Sequence, residues 1–175
     1  MTSILKVDNI QNASGTPYNF IKQVKSDSYN GNMALTLDTR VDIPNLSLSI
    51  TPSSTSSKIL IMVNLSYGGT VANVYGSGFL MRDSTDIAIG TGATGSRLNV
   101  TLGMDLANID AEKYKLRLAS MTFLDAPATT SSITYKVQVR HSSGGTMYMN
   151  RSGFDANADY GTRGISTLTI MEVAG

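Results

Sequence analysis

The sequence predicts an all-β fold, an antiparallel β-sandwich that is jelly-roll-like and carries a short extended N-terminal arm. Three observations lead to this prediction. Short segments alternate apolar and polar residues with a period of two, turn signals such as Gly68-Gly69 and Gly144-Gly145 separate them, and no long segment shows helical periodicity. Because successive side chains of a strand point to opposite faces, each alternating segment is expected to bury one face and expose the other.

Eleven candidate segments indicate about nine or ten short strands. In chain order the candidates are 20–24, 33–37, 46–50, 59–65, 74–81, 86–89, 98–104, 114–124, 133–139, 146–150 and 165–173. The segment 59–65 begins with apolar residues on both faces, which is typical of a central strand covered on both sides. The residues predicted to lie in the core are Ile59, Ile61, Val63, Val137 and Val139.

The composition narrows the class of protein. The chain has 175 residues, 15% of them charged, a net charge of +1, one histidine and no cysteine. The near-neutral balance argues against nucleic-acid binding, which needs a basic surface. The absence of cysteine excludes disulfides and thiolate chemistry. The longest aliphatic run, 59–63, is too short to cross a membrane, and no signal peptide is recognisable, so no membrane insertion is expected.

The first 19 residues differ from the rest, and we predict an N-terminal arm and joint over 1–19 and a sandwich domain over 20–175. Ile4, Leu5, Val7 and Ile10 are apolar, but the polar stretch 11–17 separates them from the first predicted strand of the body. Two interpretations remain open. The segment is either the first strand of its own sandwich, or an arm whose apolar residues anchor it by adding to the sheet edge of a neighbouring protein.

Two motifs resemble ligand-binding loops. The segment 90–95 matches GxGxxG, but the residues after it alternate as a strand instead of opening a helix, so a glycine-rich turn is the better interpretation. Asp155, Asn157 and Asp159 have the D-x-N-x-D spacing of a calcium loop. In a calcium loop a glycine follows the third ligand directly, but here it is Gly161, one position later. No flanking helices are recognisable either, so a solvated loop is favoured over this candidate calcium site.

Enzymatic chemistry has little support in the sequence. His141 is the only histidine, there are only two glutamates, and no G-x-S-x-G elbow occurs, so we predict a non-enzymatic protein without a cofactor. His141 itself is expected in a loop at the end of a strand. Four tyrosines beside loops are candidates for glycan binding, although strand or interface positions are the more common role of such residues. They are Tyr67, Tyr75, Tyr148 and Tyr160.

Four stretches of the chain together carry a resemblance to a known family. They are 4–15 (ILKVDNIQNASG), 50–61 (ITPSSTSSKILI), 123–137 (FLDAPATTSSITYKV) and 166–175 (STLTIMEVAG). These segments are similar to short fibre and surface proteins of tailed phages, notably marine phages and cyanophages. The resemblance spans nearly the whole chain, with little of it in 71–117.

The resemblance implies a virion structural protein, located on the particle as a capsid decoration or fibre component. Its implied partners are other virion proteins and further copies of itself, and analogy with fibre and decoration proteins favours a homotrimer. The alternative is a tail-fibre module that recognises host-surface glycan. The family offers no catalytic residues that could be carried over to this chain.

Overall fold

The structure, a computed structural model, describes residues 13–15, 20–35, 38–70, 74–106, 113–142 and 145–175. Within these residues it contains eleven β-strands and no α-helix. The strands are β1 Ile21–Tyr29, β2 Met33–Ala34, β3 Val41–Ile50, β4 Lys58–Gly69, β5 Val74–Arg82, β6 Thr85–Ile87, β7 Leu102–Leu106, β8 Arg117–Asp125, β9 Ile133–Ser142, β10 Met147–Met149 and β11 Ser166–Val173. The predicted all-β class is confirmed.

Two antiparallel sheets form the sandwich. In the larger sheet β4 lies between β8 on one edge and β11 on the other, β1 continues beyond β11, and the short strands β10 and β2 extend the sheet near the end of β4. In the smaller sheet β9 lies between β3 and β5, and β6 and β7 pair with β5. The chain passes repeatedly between the sheets, at β3 to β4, β4 to β5 and β8 to β9, which makes the sandwich jelly-roll-like, as predicted.

The core lies between the sheets and is built from alternate residues of the long strands. Ile61 of β4 is 0% exposed and Val137 of β9 is 1% exposed. All five residues predicted for the core are buried, which confirms that prediction. β4 is central, as predicted, but Leu60 and Met62 on its outer face are only half-buried, so the prediction of cover on both sides is wrong for that face.

The boundaries of several strands differ from the prediction. The alternation at 98–104 is strand only from Leu102, and Leu98 is an exposed loop residue. β3 begins five residues earlier than predicted and accommodates an irregularity between Asp42 and Ser47. The glycine-rich segment 90–95 is a loop with no helix after it, as the turn interpretation requires. Alternation is a local signal, whereas these boundaries depend on where a partner strand is available.

The end of the sandwich where β1 begins and β11 ends is here called the proximal end. Two buried polar clusters connect different elements at this end. In the first, Asp125 of β8 accepts hydrogen bonds from the Tyr135 hydroxyl at 2.6 Å and from Arg82 Nη1 at 2.8 and 3.0 Å. Burial and then the hydrogen bond to Asp125 raise the pKa of Tyr135, so its hydroxyl remains a protonated donor. Since Asp125 belongs to the larger sheet and its partners to the smaller one, the cluster links the two layers.

In the second cluster, Glu172 of β11 is fully buried and holds the loop between β3 and β4. Its carboxylate accepts from the backbone N–H and Oγ of Ser53, both at 2.6 Å, from Ser57 Oγ at 2.7 Å and from Gln23 Nε2 at 2.6 Å. Burial alone would raise the pKa of Glu172, but the hydrogen bonds from Ser53, Gln23 and Ser57 outweigh it and lower the pKa to about 2. The ionised carboxylate therefore stabilises the fold.

We expect Glu172→Gln to lower the free energy of unfolding at pH 7 by about 2 kcal/mol, because neutral acceptors form weaker bonds and the new amide faces the donor of Gln23. The folded-state pKa lies below the unfolded-state value, so the carboxylate contributes its stability above about pH 4.5 and loses it as the pH falls towards 2. Urea denaturation at pH 7 and pH 3 measures both effects. Asp27→Asn, at an exposed carboxylate of β1, is the control. A variant that loses stability on acidification as steeply as the parent would contradict this role of Glu172.

Candidate functional site

The sandwich has two ends, defined by where its long strands begin and finish. At the proximal end lie the start of β1, the end of β11 and the loops 51–57 and 126–132. At the opposite end, here called the distal end, β4 finishes at Gly69 and the long loop between β10 and β11 crosses the top of the larger sheet. The 12 residues of β4 place these ends roughly 35 Å apart at the usual rise of a strand.

Asn150, at the start of the long distal loop, fixes the loop to the sheet. It is 1% exposed. Its Nδ2 donates to the carbonyl oxygens of Tyr29 at 2.6 Å and Gly31 at 3.0 Å, and its Oδ1 accepts from Ser166 Oγ at 2.7 Å. Its backbone N–H donates to Ser66 O at 2.8 Å. One buried side chain thus connects the ends of β1 and β11 to the loop.

Glycines allow the same loop to approach the sheet closely. A Cβ atom on Gly153 would overlap the carbonyl oxygen of Gly69, and one on Gly68 would overlap that of Arg151. The backbone N–H of Phe154 donates to Lys113 O at 2.8 Å, which joins the loop to the segment before β8. The loop is therefore held in one conformation by backbone contacts as well as by Asn150.

Three aromatic side chains pack against one another on this loop and its neighbour. The ring centroid of Tyr114 lies 5.3 Å from those of Phe154 and Tyr160 with interplanar angles of 63° and 84°, and the Phe154 and Tyr160 centroids lie 5.9 Å apart. The three rings are 39%, 39% and 46% exposed. None belongs to the core between the sheets. We call these three residues the aromatic cluster.

An arginine–aspartate network borders the aromatic cluster. The two carboxylate oxygens of Asp155 accept from Arg151 and Arg163, and the Arg151 guanidinium lies 3.6 Å from the ring centroid of Tyr148. The hydrogen bond from Arg163, followed by the positive charges of both arginines, holds the pKa of Asp155 below its usual range against the effect of desolvation. Asn157 and Asp159 are exposed on the same loop.

The carboxylate of Asp155, the first of the three candidate calcium-binding residues, is thus already paired with two arginines. A calcium ion would have to displace two guanidinium groups from Asp155, and the described residues hold no group of three or more His, Cys, Asp or Glu side chains arranged for a metal ion. Calcium binding by Asp155, Asn157 and Asp159 stays a prediction.

The four tyrosines predicted as glycan-binding candidates do not form one site. Tyr67 is buried in the core and Tyr75 is exposed on β5 of the other sheet. Tyr148 is half-buried beneath Arg151, and only Tyr160 belongs to the aromatic cluster. Sequence reasoning missed its partners Tyr114 and Phe154. Phe154 borders the acidic loop and could have been noticed there, whereas Tyr114 is 40 residues away in the chain.

Two further predictions concern residues elsewhere. His141 does not lie in a loop: it belongs to β9 and is 3% exposed, with Nε2 2.9 Å from the carbonyl oxygen of Leu35, because β9 extends to Ser142. The candidate anchoring residues Ile4, Leu5, Val7 and Ile10 lie outside the described residues. No helix with the length and hydropathy of a membrane span occurs in the part of the chain that the structure describes.

No protein-family model and no curated protein matches the chain. Among solved structures, the chain is similar to the VP2 subviral particle of infectious bursal disease virus, with a TM-score of 0.44 and 11% identity over 97% of this chain and 42% of that one. A mutant VP2 protein of the same virus, in derived T=1 particles, gives a TM-score of 0.44 and 11% identity over 97% of this chain and 41% of that one. The chain thus spans less than half the length of these structures.

Proposed function

We propose that the protein is a non-enzymatic structural component of a virion, a capsid decoration or fibre protein of a tailed phage. The arm 1–19, with Ile4, Leu5, Val7 and Ile10 as its apolar contacts, anchors it to another virion protein, and the sandwich projects from the particle surface. The similarity of four sequence stretches to such phage proteins supports this proposal.

The observation that carries the proposal is the exposed apolar surface at the proximal end of the sandwich. The chain enters at the proximal end, where Phe20, Ile21, Val24 and Leu124 are exposed large apolar side chains. Val24, Met171, Leu60 and Leu124 form one cross-strand row on the outer face of the larger sheet. Apolar surface at the end where β1 begins suits attachment to a partner, and the distal loops then point away from it.

The chemistry of the buried polar groups supports a role without catalysis. Glu172 and Asp125 both accept hydrogen bonds from side chains of other elements of the fold. His141 is buried against a backbone carbonyl, away from solvent. In each case the charged or basic group holds elements together, which is the role expected in a building block of a particle.

We also propose that the protein self-associates, with a homotrimer favoured by analogy with fibre and decoration proteins. The apolar row of the larger sheet offers a surface that a second copy could cover. Sedimentation velocity of the full chain at micromolar concentration tests this. A monomer there, with no association on the particle, would contradict it.

The second candidate function is recognition of host-surface glycan by a tail-fibre module. One observation favours it: Tyr160 lies in an exposed aromatic cluster at the distal end. The two functions are compatible, since an anchored protein can also bind a ligand at its distal end.

Deletion of residues 1–16 is the test of the anchoring role. We expect the shortened chain to remain folded and to lose its incorporation into particles, because the apolar arm residues are removed while the sandwich is kept intact. Incorporation is measured by mass spectrometry of purified particles, and folding by thermal denaturation. Substitution of Lys6 by alanine within the arm, which keeps all four apolar residues, is the matched control and should incorporate normally.

The competing interpretation, in which the segment is a strand of its own sandwich, has the opposite outcome. The deletion would then lower the melting temperature by several degrees. A large thermal loss with particle binding intact would refute the anchoring role.

A further inference from the structure

We infer that the aromatic cluster and the loop that carries it form a binding site for a hexose residue of a saccharide. The site consists of Tyr114, Phe154 and Tyr160 together with Asn157 and Asp159, the exposed polar residues between Phe154 and Tyr160 on the loop, here called its border. This inference deepens the second candidate function, on which it rests, by naming the residues and the class of ligand.

The first argument is that the rings are not needed for the core. They lie outside the hydrophobic core between the sheets, and each keeps more than a third of its surface exposed. A small cluster under a loop often serves only to pack that loop. Here, however, the loop is already fixed by the buried side chain of Asn150 and by close backbone contacts at Gly153.

The second argument is preorganisation. Binding at an exposed loop is weakened by the entropy of ordering the loop, and a loop that is fixed beforehand avoids that penalty. The backbone leading into Phe154 is held at two points: Ser152 N–H donates to Thr162 O of the same loop at 3.2 Å, and Phe154 N–H donates to Lys113 O of the segment before β8 at 2.8 Å. The rings are therefore presented to solvent at fixed positions.

The third argument concerns the chemistry of the border. The negative face of an aromatic ring attracts the partly positive C–H groups of a sugar, and planar polar side chains beside it can bond to hydroxyl groups. Exposed Asn157 and Asp159 supply acceptors and an amide donor on the loop between Phe154 and Tyr160. Such a border suits a polyhydroxylated ligand better than an apolar protein surface.

The charged groups near the site have partners within the fold. Arg151 and Arg163 both pair with Asp155, which offsets one of their two positive charges and holds both guanidinium groups within the loop. Lys113 Nζ lies 5.2 Å from the ring centroid of Tyr114 and 5.8 Å from that of Phe154, where it interacts with the rings themselves. The site is therefore expected to select uncharged hexoses.

The test is binding of the full-length protein to an array of neutral and acidic hexose oligosaccharides, followed by saturation-transfer NMR with the methyl glycoside of each hexose bound. We expect neutral oligosaccharides to bind and ring-facing C–H protons to be saturated. Tyr160→Ala and Phe154→Ala should each weaken binding at least tenfold, whereas Tyr160→Phe, which keeps the ring, should retain most of it. Tyr75→Ala, at a tyrosine that is equally exposed but on the other sheet, should leave binding unchanged.

Thermal denaturation of each variant separates loss of the site from loss of the fold, and Tyr160→Leu, which removes the ring but keeps an apolar side chain and should also weaken binding, replaces an alanine variant that unfolds. The inference is overturned if no oligosaccharide binds, if only acidic ones bind, or if Tyr160→Ala binds as well as the parent. Incorporation into particles should be unaffected by the aromatic substitutions. Normal incorporation without sugar binding would refute this inference alone, and sugar binding by a protein absent from particles would refute the virion role alone.

Discussion

Replacing Ile61 by alanine is expected to lower the free energy of unfolding by about 2–5 kcal/mol, the range for large-to-small changes in a close-packed core. Ile61 is 0% exposed and lies on the central strand of the larger sheet, paired with Ile170 of β11 and Phe123 of β8. Both neighbours are held by their own strand pairing, so the space left by the side chain cannot collapse easily. Urea denaturation monitored by circular dichroism measures the change.

Met62→Ala is the matched control, because Met62 is the next residue of β4 and faces outwards, half-buried. Its truncation should lower the free energy of unfolding by clearly less than that of Ile61. Equal losses for the two variants would show that the inner face of β4 is not the packed face, which would contradict the sandwich.

Replacing Asn150 by alanine is expected to lower the free energy of unfolding by about 3 kcal/mol, through two separable effects. The change leaves buried backbone acceptors of Tyr29 and Gly31 without their donor. It also places alanine at a φ of 61°, in the left-handed region that asparagine tolerates better. Because the side chain of Asn150 holds the loop in place, we also expect faster proteolysis within 150–165 in the variant.

Asn150→Gly separates these effects. Glycine removes the same hydrogen bonds but adopts the positive φ without strain, so it should be less destabilising than alanine by about 1 kcal/mol. Asn64→Ala, at an exposed asparagine of β4, is the control and should change stability little. If Asn150→Ala matched Asn64→Ala, the buried network would have no part in holding the loop.

The prediction of the fold was accurate for strands that the pattern of neighbouring residues is enough to indicate. The patterns along 59–65, 133–139 and 165–173 predicted β4, β9 and β11 to within a few residues at their starts, and the first two also identified the buried faces of β4 and β9. It was less accurate at 33–37, where strand β2 comprises only Met33 and Ala34 among the described residues. A short segment becomes a strand only if a partner edge is available, and that depends on the rest of the chain.

At the candidate site, too, the sequence predicted some features and missed those that depend on contacts between distant residues. Sequence alone identified an Asx-rich loop at 155–159 and Tyr160 beside it, but it also placed Tyr67 among the exposed candidates. Only the tertiary structure shows that Tyr67 is buried in the core and that Tyr114 packs against Phe154 and Tyr160. It also shows that the two carboxylate oxygens of Asp155 pair with arginines.

Strand period is a property of neighbouring residues, so the sequence by itself determined the two-sheet fold and its core. Contacts between loops depend on the topology that brings distant strand ends together, so only the tertiary structure decided which side chains share the distal end.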